Sequence, residues 1–422
     1  MRIPPCASLR ARVRGQFRRV VLVAGFSAAL VAATLTPAGA VTVTPAHTTT
    51  SVTVTWRGNG HGHGLSQYGA RGAAAAGLSF RRIISFYYPH TTLVRPKQPV
   101  IRVLLADFGP ATTVAAWSGL TVTGVRGKLP TRGIFRYRLI ADAGSGLTLQ
   151  RLRSAAGSRW TTYRTGLPNR AAFNRGVGYS VQIFAPNGTS NYYRGLLRAV
   201  RTTASGAGRV NTVNVVGLER YTAGVAPREM PASWARAAVD AQAIAARTYA
   251  QYAIDHPRNR DWDICDTTAC QFYGGYEYLD ARGHVVWHDD TTGVLDTNRL
   301  VVTYRGAAIF AQFSASNGGW TVAGGQPYLI ARPDPYDTAK SGDPYLAMTG
   351  TVSLASLARA YGLSKITRIA TTTNGHGAWG GRTTGATIDG VRSGKAVRVT
   401  TSGFALADAL GAWTDWYRLV AN

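Results

Sequence analysis

Short runs in which apolar and polar residues alternate dominate the chain from Pro99 to Val216. Seven of them follow one another: IRVLLADF, GLTVTG, YRLIADA, LTLQRL, YSVQIF, LLRAV and VNTVNVV. Clusters of Gly, Pro, Asn or Ser separate many of these runs. Alternation with intervening turn residues is typical of antiparallel strands. This stretch is therefore predicted to form a β-sheet scaffold.

The pattern changes in the middle of the chain, in VNVVGLERYTAGVAPREMPASWARAAVDAQAIAARTYAQYA. A β-like lead-in is predicted at 213–221, followed by a Gly/Pro turn that carries Glu229. The stretch 234–253 is rich in Ala and contains neither Gly nor Pro, which predicts a long helix with Ser233 as its N-cap. A rigid strand-to-helix elbow tends to display functional side chains, so Glu229 is singled out.

Further elements flank this central segment. The sequence predicts a strand at 41–56, helices at 67–76, 81–88 and 353–361, and a hairpin at 301–316. The abundance of Gly, at 48 residues, favours strands and turns over a helical bundle. We therefore expect an α+β fold, in which a mainly antiparallel sheet scaffold surrounds the long Ala-rich helix.

The beginning of the chain has the layout of a secretory signal. Six arginines precede an apolar run from Val20 to Leu35, and Pro37-Ala38-Gly39-Ala40 supplies an A-x-A cleavage site. A transmembrane anchor is the alternative, but the apolar run is short for a span and is interrupted by a glycine and a serine. The predicted domains are a signal peptide at 1–40, an N-terminal segment at 41–98 that packs on the core, and a core domain at 99–422.

The positive charge of the chain indicates which kind of partner it binds. The chain carries 47 Lys and Arg against 20 Asp and Glu, a formal net charge of +27, of which the leader accounts for six. A protein this basic is expected to bind polyanions. Because the leader predicts export to the cell surface, the anionic polymers of a cell wall are favoured over nucleic acid. A solvated Arg-rich surface without a specific partner is the alternative.

Several motifs resemble one bacterial family. ERYTAGVAPREMPASW leads into AVDAQAIAARTYA in the central segment, GHGHGLSQYGA occupies 60–70, and SASNGG occupies 314–319. The C-terminal FALADALGAWTDWYRLV fits less closely. Together these motifs resemble the SpoIID/LytB family of cell-wall proteins. The GHGHGLSQYGA motif lies at the N-terminal end here, whereas sporulation-type members carry it at the C-terminal end.

The resemblance implies a peptidoglycan-acting protein with a sugar-binding groove. Catalytic members are lytic transglycosylases, which cleave the MurNAc–GlcNAc β-1,4 bond to 1,6-anhydro products, and Glu229 matches their general acid/base. That acid must be protonated when substrate arrives. The apolar neighbours Met230 and Trp234 are expected to raise its pKa, whereas a helix N-terminus and nearby arginines would lower it.

The same resemblance suggests the residues that bind the glycan. They are Arg247, Tyr249, Gln312, Ser314, His61, His63 and Gln67. Without the resemblance, the sequence predicts a helix-surface residue or a buried ion-pair residue at Arg247, and the resemblance favours the site role instead. His61 and His63 lie on one side of an extended backbone and could also be metal ligands, although the sequence places no third ligand nearby.

Two cysteines follow the leader, Cys265 and Cys270, in the run ICDTTACQFYGG. In an exported protein such a pair is expected to form a disulfide. Some family members hold a zinc ion with Cys and His near the active site. Zinc at Cys265, Cys270 and His256 is therefore the alternative that the resemblance implies, and no other cofactor is expected.

The sequence is compatible with two functions. The first is lytic cleavage of peptidoglycan glycan strands with Glu229 as general acid/base. The second, suggested by LytB-type relatives, is non-catalytic wall binding that enhances an N-acetylmuramoyl-L-alanine amidase. Both predict peptidoglycan and anionic wall polymers as partners, and they differ in whether Glu229 is essential.

Overall fold

Helices pack between and beside antiparallel sheets in the computed structural model, which describes residues 40–45, 50–154, 159–202 and 209–421. The predicted leader lies outside the described residues except for Ala40. The described helices are α1 (Gln67–Ala75), α2 (Phe80–Tyr87), α3 (Leu218–Glu229), α4 (Arg236–Asp255), α5 (Leu354–Ala360) and α6 (Gly403–Leu410). Single 3₁₀ turns lie at Ala339–Ser341 and Ala378–Gly380. Within the described ranges, every helix is too short or too polar to cross a membrane.

The strands of the first half are β1 (Ala40–Val43), β2 (Ser51–Trp56), β3 (Leu65–Ser66), β4 (Thr92–Val94), β5 (Val100–Leu105), β6 (Thr112–Ala115), β7 (Thr121–Val122), β8 (Arg136–Ala141), β9 (Leu147–Leu152), β10 (Trp160–Leu167), β11 (Ala172–Asn174), β12 (Ser180–Phe184), β13 (Ser190–Arg194), β14 (Leu196–Arg201) and β15 (Val210–Gly217). Those of the second half are β16 (Ile264–Cys265), β17 (Glu277–Leu279), β18 (Val285–His288), β19 (Val301–Tyr304), β20 (Ala307–Ala308), β21 (Phe313–Ser314), β22 (Met348–Ser353), β23 (Lys365–Thr373), β24 (Thr383–Arg392), β25 (Lys395–Ser402) and β26 (Tyr417–Ala421).

Two large sheets form the scaffold. One has the strand order β16-β5-β15-β14-β11-β7 and the other β10-β9-β8-β6-β12-β13-β17-β18. Their described neighbours pair antiparallel except β16 with β5. Alternate residues of each strand face inward, as Ile101 and Val103 do in β5, and both sheets share what we call the first core. The prediction of a mixed fold with mostly antiparallel strands is confirmed.

Helix α4 lies between two cores, which accounts for its many alanines. Residues 238–248 are all buried, so the helix has no solvent-facing stripe along that length. Ala246 and Ala250 contact the first core, while Ala241 and Ala245 contact a second core that also takes residues from α1, α2 and β19. Small side chains let this helix be enclosed on all sides.

A third core combines residues from the beginning and the end of the described chain. Strand β2 is the middle strand of a sheet with the order β22-β2-β26, and its Val52, Val54 and Trp56 face inward onto α5 and α6. The segment predicted at 41–98 is thus shared between two cores: β2 belongs to the third, and α1 and α2 belong to the second.

The central segment departs from the sequence-based prediction in two places. The strand β15 ends at Gly217, and the residues after it form helix α3 through Gly224 and Pro227, so the predicted lead-in to 221 is wrong. The N-cap of α4 is Ala235 rather than Ser233. Glu229 therefore lies at the end of one helix, before a short connection to the next.

Candidate active site

Glu229 is the last residue of α3, and the sequence explains why the helix stops there. Met230 precedes Pro231, whose ring disfavours helical dihedrals in the residue before it. Met230 is accordingly extended, with φ −140° and ψ 131°, and its side chain is buried in the second core. The Glu-Met-Pro sequence thus ends a helix and anchors its last turn, which fixes the position of the Glu229 carboxyl.

The Glu229 side chain is half-buried, and both carboxyl oxygens accept hydrogen bonds. Oε1 accepts from the backbone N–H of Phe272 at 3.1 Å, and Oε2 accepts from Nε2 of Gln67 at 3.5 Å. Loss of hydration raises the pKa of Glu229 to about 6, and the two hydrogen bonds oppose this effect only in part. This carboxyl can therefore be protonated in mildly acidic solution.

The sequence left open whether apolar neighbours or a helix N-terminus and arginines would dominate the pKa of Glu229, and burial is the largest effect. Glu229 lies at the C-terminal end of α3, where the partial negative charge of the helix disfavours a carboxylate. The guanidinium of Arg228 lies over the rings of Phe272 and Trp287, at 4.7 and 4.3 Å from their centroids. The C-terminal end of the helix and burial thus both raise the pKa of Glu229.

We expect this titration to be visible directly, because the chain contains only three glutamates, Glu219, Glu229 and Glu277. Carbon-13 labelling of glutamate and NMR titration should reveal one carboxyl with a pKa of about 6, absent in Glu229→Gln. Gln67→Ala should raise that pKa, because Gln67 donates a hydrogen bond that favours the charged form. Three carboxyls that all titrate near the ordinary glutamate value would contradict the assignment.

Alternate glycines bring the GHGHGLSQYGA loop against the SASNGG loop. Gly60, Gly62 and Gly64 all have positive φ, which favours glycine. A Cβ on Gly60 would lie 2.7 Å from Cβ of Ser314, and one on Gly64 would lie 2.2 Å from the carbonyl oxygen of Gln312. The motif is therefore required for close backbone packing between these two loops.

This packing places the Gln67 side chain beside the Glu229 carboxyl. Strands β3 and β21 pair in parallel, with Leu65 opposite Phe313 and Ser66 opposite Ser314. Ser66 then caps α1, since its Oγ accepts from the backbone N–H of Gly69 at 3.1 Å. Gln67, the first residue of α1, is buried, and its amide donates to the Glu229 carboxyl. The N-terminal motif and the central segment thus meet at one point.

A buried group of acids supports the two loops, and it was missed in the sequence. Oδ2 of Asp337 accepts from Oγ of Ser66 at 2.8 Å, from Oγ of Ser316 at 3.1 Å and from the backbone N–H of Asn317 at 2.8 Å. Asp343 accepts from the same Ser316 hydroxyl at 2.6 Å. Burial and the neighbouring Asp343 raise the pKa of Asp337 well above its usual range. The runs DPYD and SGDPY were the available signal.

His61 and His63 stack on each other with their ring centroids 5.0 Å apart. The backbone N–H of His63 donates to Nδ1 of His61 at 2.9 Å, and Nδ1 of His63 lies 3.2 Å from the carbonyl of Val322. Burial lowers the pKa of His61 to about 3 and also lowers that of His63. Both imidazoles are therefore neutral at physiological pH, and neither brings a positive charge to a ligand.

Arg247 lies away from Glu229, beside Glu219 in the first turn of α3. Its side chain is fully buried, and its guanidinium binds Glu219 through two hydrogen bonds of 2.6 and 2.9 Å. Three further hydrogen bonds go to Thr297 and to the carbonyls of Val294 and Leu300. Glu219 precedes Glu229 by ten residues of one helix, about 15 Å along its axis. Of the two structural alternatives that the sequence left for Arg247, the structure shows the buried ion pair rather than a helix-surface residue.

The remaining expected glycan-binding residues lie around the two loops. Ser314 is buried, and its Oγ accepts from the backbone N–H of Gly62 at 3.3 Å. Gln312 is half-buried, and its carbonyl accepts from the Tyr88 hydroxyl at 2.7 Å. Tyr249 packs on Phe310 and Phe313, with centroid distances of 5.2 and 6.4 Å. These three residues are therefore neighbours of the motif that reaches Glu229.

Cys265 and Cys270 form a disulfide with a Cα–Cα distance of 5.6 Å. The bridged loop leads directly into Gln271, which accepts from the Tyr221 hydroxyl at 3.0 Å and donates to the carbonyl of Ala246 at 3.2 Å. The next residue, Phe272, gives its backbone N–H to Glu229. The disulfide thus helps to hold one of the two donors at the candidate acid.

The zinc alternative does not fit the described residues. The two sulfurs are bonded to each other, so neither is a thiolate ligand. The His256 ring stacks on Tyr252 at 4.1 Å, and its Nδ1 lies 3.0 Å from the Tyr252 carbonyl. In the ranges that the structure describes, no cluster of three or more His, Cys, Asp or Glu side chains could hold a metal ion.

Opening this disulfide should destabilise the protein without unfolding it. Closing a loop this short contributes about 2 kcal/mol in the chain-entropy account. We expect the free energy of unfolding, measured with denaturant, to fall by about that amount after reduction or in a Cys265→Ser/Cys270→Ser double variant. The double variant is its own control, because reductant should not change it further. Equal stability of the oxidised and reduced proteins would contradict a structural bridge.

Comparison with known proteins agrees with these motifs. Residues 206–304, which contain Glu229, match the model of the family described as SpoIID, stage II sporulation protein. The amidase enhancer of Bacillus subtilis (strain 168) is 38% identical over 141 residues, which are 32% of this chain and 17% of that protein. This segment of the chain is therefore similar to the SpoIID family. The family resemblance of the sequence motifs is thereby confirmed.

Two other relatives match over different lengths. Stage II sporulation protein D of Bacillus subtilis (strain 168) is 28% identical over 232 residues, covering 46% of this chain and 66% of that protein. An uncharacterized protein of Brachyspira hyodysenteriae is 36% identical over 122 residues, covering 29% of this chain and 31% of the relative. The chain thus spans less than a third of the amidase enhancer and of the Brachyspira protein.

Proposed function

We propose that this protein is an exported lytic transglycosylase that cleaves the MurNAc–GlcNAc β-1,4 bond of peptidoglycan glycan strands. The observation that carries the proposal is the Glu229 carboxyl, which lies in the family segment and has its pKa raised to about 6. A general acid works best when its pKa lies near the working pH. The net charge of +27, or +21 without the six arginines of the predicted leader, supports retention at an anionic wall.

The reaction needs only one carboxyl group. Protonated Glu229 donates its proton to the glycosidic oxygen while the bond from that oxygen to the anomeric carbon breaks. The C6 hydroxyl oxygen of the same MurNAc forms the new bond to the anomeric carbon, and its proton passes to Glu229. The carboxyl therefore begins and ends protonated, and no water is consumed. Glycosidases that use water generally need a second carboxylate, whereas this scheme uses Glu229 alone.

The neighbours of Glu229 have defined parts in this scheme. Between the two proton transfers the carboxyl is briefly a carboxylate, and the Phe272 N–H and the Gln67 amide are placed to donate hydrogen bonds to it. Ser314, Gln312 and the two neutral histidines offer hydrogen-bonding groups for the polar substituents of the sugars. Gln67 is thus a positioning residue for the acid.

A second function is favoured by one specific comparison. The amidase enhancer of Bacillus subtilis matches this chain at 38% identity, and its name describes stimulation of an amidase. In this alternative the protein binds wall glycan and increases the activity of an N-acetylmuramoyl-L-alanine amidase, while Glu229 has no chemical role. The same basic surface would serve both functions.

Digestion of purified peptide-free glycan strands separates the two functions. The lytic transglycosylase proposal expects 1,6-anhydro ends, detected by mass spectrometry, from the purified protein alone. The alternative expects no new glycan ends, but faster release of stem peptides from intact sacculi when a cell-wall amidase is added. Intact strands together with a stimulated amidase would decide for the enhancer function.

A further inference from the structure

A row of five aromatic rings runs from the candidate active site to the third core. Trp234 lies 4.9 Å from Tyr68, Tyr68 lies 5.7 Å from Tyr345, Tyr345 lies 5.7 Å from Trp413, and Trp413 lies 6.0 Å from Trp56, as centroid distances. These residues come from four separated parts of the sequence. We call this set the aromatic row.

One end of the aromatic row is next to the site along the sequence. Tyr68 follows Gln67, which donates to Glu229, and Trp234 is separated from Glu229 only by the short connection between α3 and α4. The guanidinium of Arg71 lies 4.9 Å from the ring centroid of Trp234 and adds hydrogen-bond donors beside the rings. A chain that is bound at Glu229 and extends in this direction would meet Tyr68 and then Tyr345.

The row also reaches the solvent, unlike a core cluster. Trp413 is 48% exposed, Trp234, Tyr68 and Tyr345 are half-buried, and only Trp56 is buried, where it fixes the far end. Large rings left this open on a stable surface usually mark a binding site. Because these side chains have few rotatable bonds, they offer contact area at a low entropic cost on binding.

The backbone holds the rings in place before any ligand binds. The Tyr345 carbonyl accepts from the N–H of Gly58 at 2.7 Å, and the Trp413 carbonyl accepts from the N–H of Gly60 at 2.8 Å. Gly60 belongs to the GHGHGLSQYGA loop and packs against Ser314, and Gly58 lies two residues before that loop and packs against Ser316. The loop that positions Gln67 therefore also positions the outer rings.

We propose that the aromatic row binds the glycan strand on one side of the bond to be cleaved. Pyranose rings present C–H groups on one face, which pack on aromatic rings, and hydroxyl and acetamido groups at their edges, which suit Arg71 and the tyrosine hydroxyls. The ligand is accordingly a long β-1,4-linked, N-acetylated polysaccharide, and Trp413 contacts only strands long enough to reach it. This inference rests on the proposed function for the identity of the glycan.

Binding measurements test the row separately from catalysis. In a Glu229→Gln background, which should bind glycan without cleaving it, dissociation constants are measured by calorimetry for long peptide-free strands and for short N-acetylchitooligosaccharides. Trp413→Ala should weaken binding of the long strands about two- to tenfold and leave the short ligands unchanged. Phe404→Ala is the matched control, because Phe404 is 53% exposed in the same part of the fold but does not belong to the row.

Further variants distinguish a loss of glycan binding from a loss of folding. Trp413→Phe, which keeps a ring, should recover most of the affinity, and thermal melting checks that each variant is folded. Should Trp413→Ala itself fail to fold, Tyr345→Ala should give the same selective loss. Equal affinity of long strands for Trp413→Ala and Phe404→Ala, or no strand binding by the parent, would overturn the inference. Strand binding that depends on Trp413 but occurs without cleavage by the wild type would overturn only the proposed catalysis.

Discussion

Replacing Glu229 with Gln should lower the rate of glycan cleavage by about 100- to 10,000-fold, the usual contribution of a general acid. The amide has the size of the carboxyl and can still accept from the Phe272 N–H, but it has no acidic proton to give to the glycosidic oxygen. Rates are measured as the appearance of 1,6-anhydro ends from peptide-free strands.

The two other glutamates make this experiment specific. Glu277→Gln is the matched control, since Glu277 is half-buried on β17, and it should leave the rate unchanged. Thermal unfolding of Glu229→Gln should be close to that of the wild type, or shifted slightly upward at neutral pH, because a half-buried carboxylate is removed. A Glu229→Gln enzyme that retains the wild-type rate would eliminate this residue as the acid.

Replacing Arg247 with Met should lower the free energy of unfolding by about 3–5 kcal/mol, the usual cost of removing one partner of a buried ion pair. The substitution removes the guanidinium donor from the Thr297 hydroxyl and from two buried carbonyls, and it removes two of the four hydrogen bonds that Glu219 accepts. Denaturant unfolding at constant pH measures the loss.

A conservative variant distinguishes structure from glycan binding at this position. Arg247→Lys keeps the charge but cannot form the paired hydrogen bonds with Glu219, so it should also be destabilised, though less. If Arg247 contacted the glycan instead, Arg247→Met would keep the wild-type stability and show weaker binding of strands. That pattern would contradict the position that the structure gives it.

Sequence patterns predicted the regular elements well where one physical signal dominated. The alternating runs of the scaffold, such as those of β5 and β15, are strands because one face of each is buried, and Ala-rich α4 is a helix. Helix α3 was missed because Gly224 and Pro227 suggest a turn. Burial of that helix, with Tyr221, Val225 and Ala226 inside, outweighs those local preferences.

The site was only partly predictable, for a related reason. The family motifs pointed to Glu229 and Gln67, but their contact spans 162 residues of sequence and depends on the parallel pairing of β3 with β21. Local patterns hold no signal for such pairing. The aromatic row was not predictable from the sequence for the same reason, since Tyr68, Tyr345 and Trp413 come into contact only in the folded protein.

Arg247 shows the opposite case, in which elementary chemistry was the better guide. A guanidinium in the middle of a helix that is buried on all sides must find a carboxylate and acceptors inside the protein. In a chain with three glutamates, Glu219 on the adjacent helix was an available partner. The resemblance alone assigned it to the glycan.

The central claim is that protonated Glu229 cleaves the glycan and that the sugar's own hydroxyl, rather than water, completes the reaction. Digestion of peptide-free strands in water labelled with heavy oxygen tests both parts at once. The account predicts 1,6-anhydro ends without the label, formed at a rate that falls as the pH rises through about 6 because Glu229 loses its proton. Reducing ends that carry the label, or a rate indifferent to pH across that range, would contradict it.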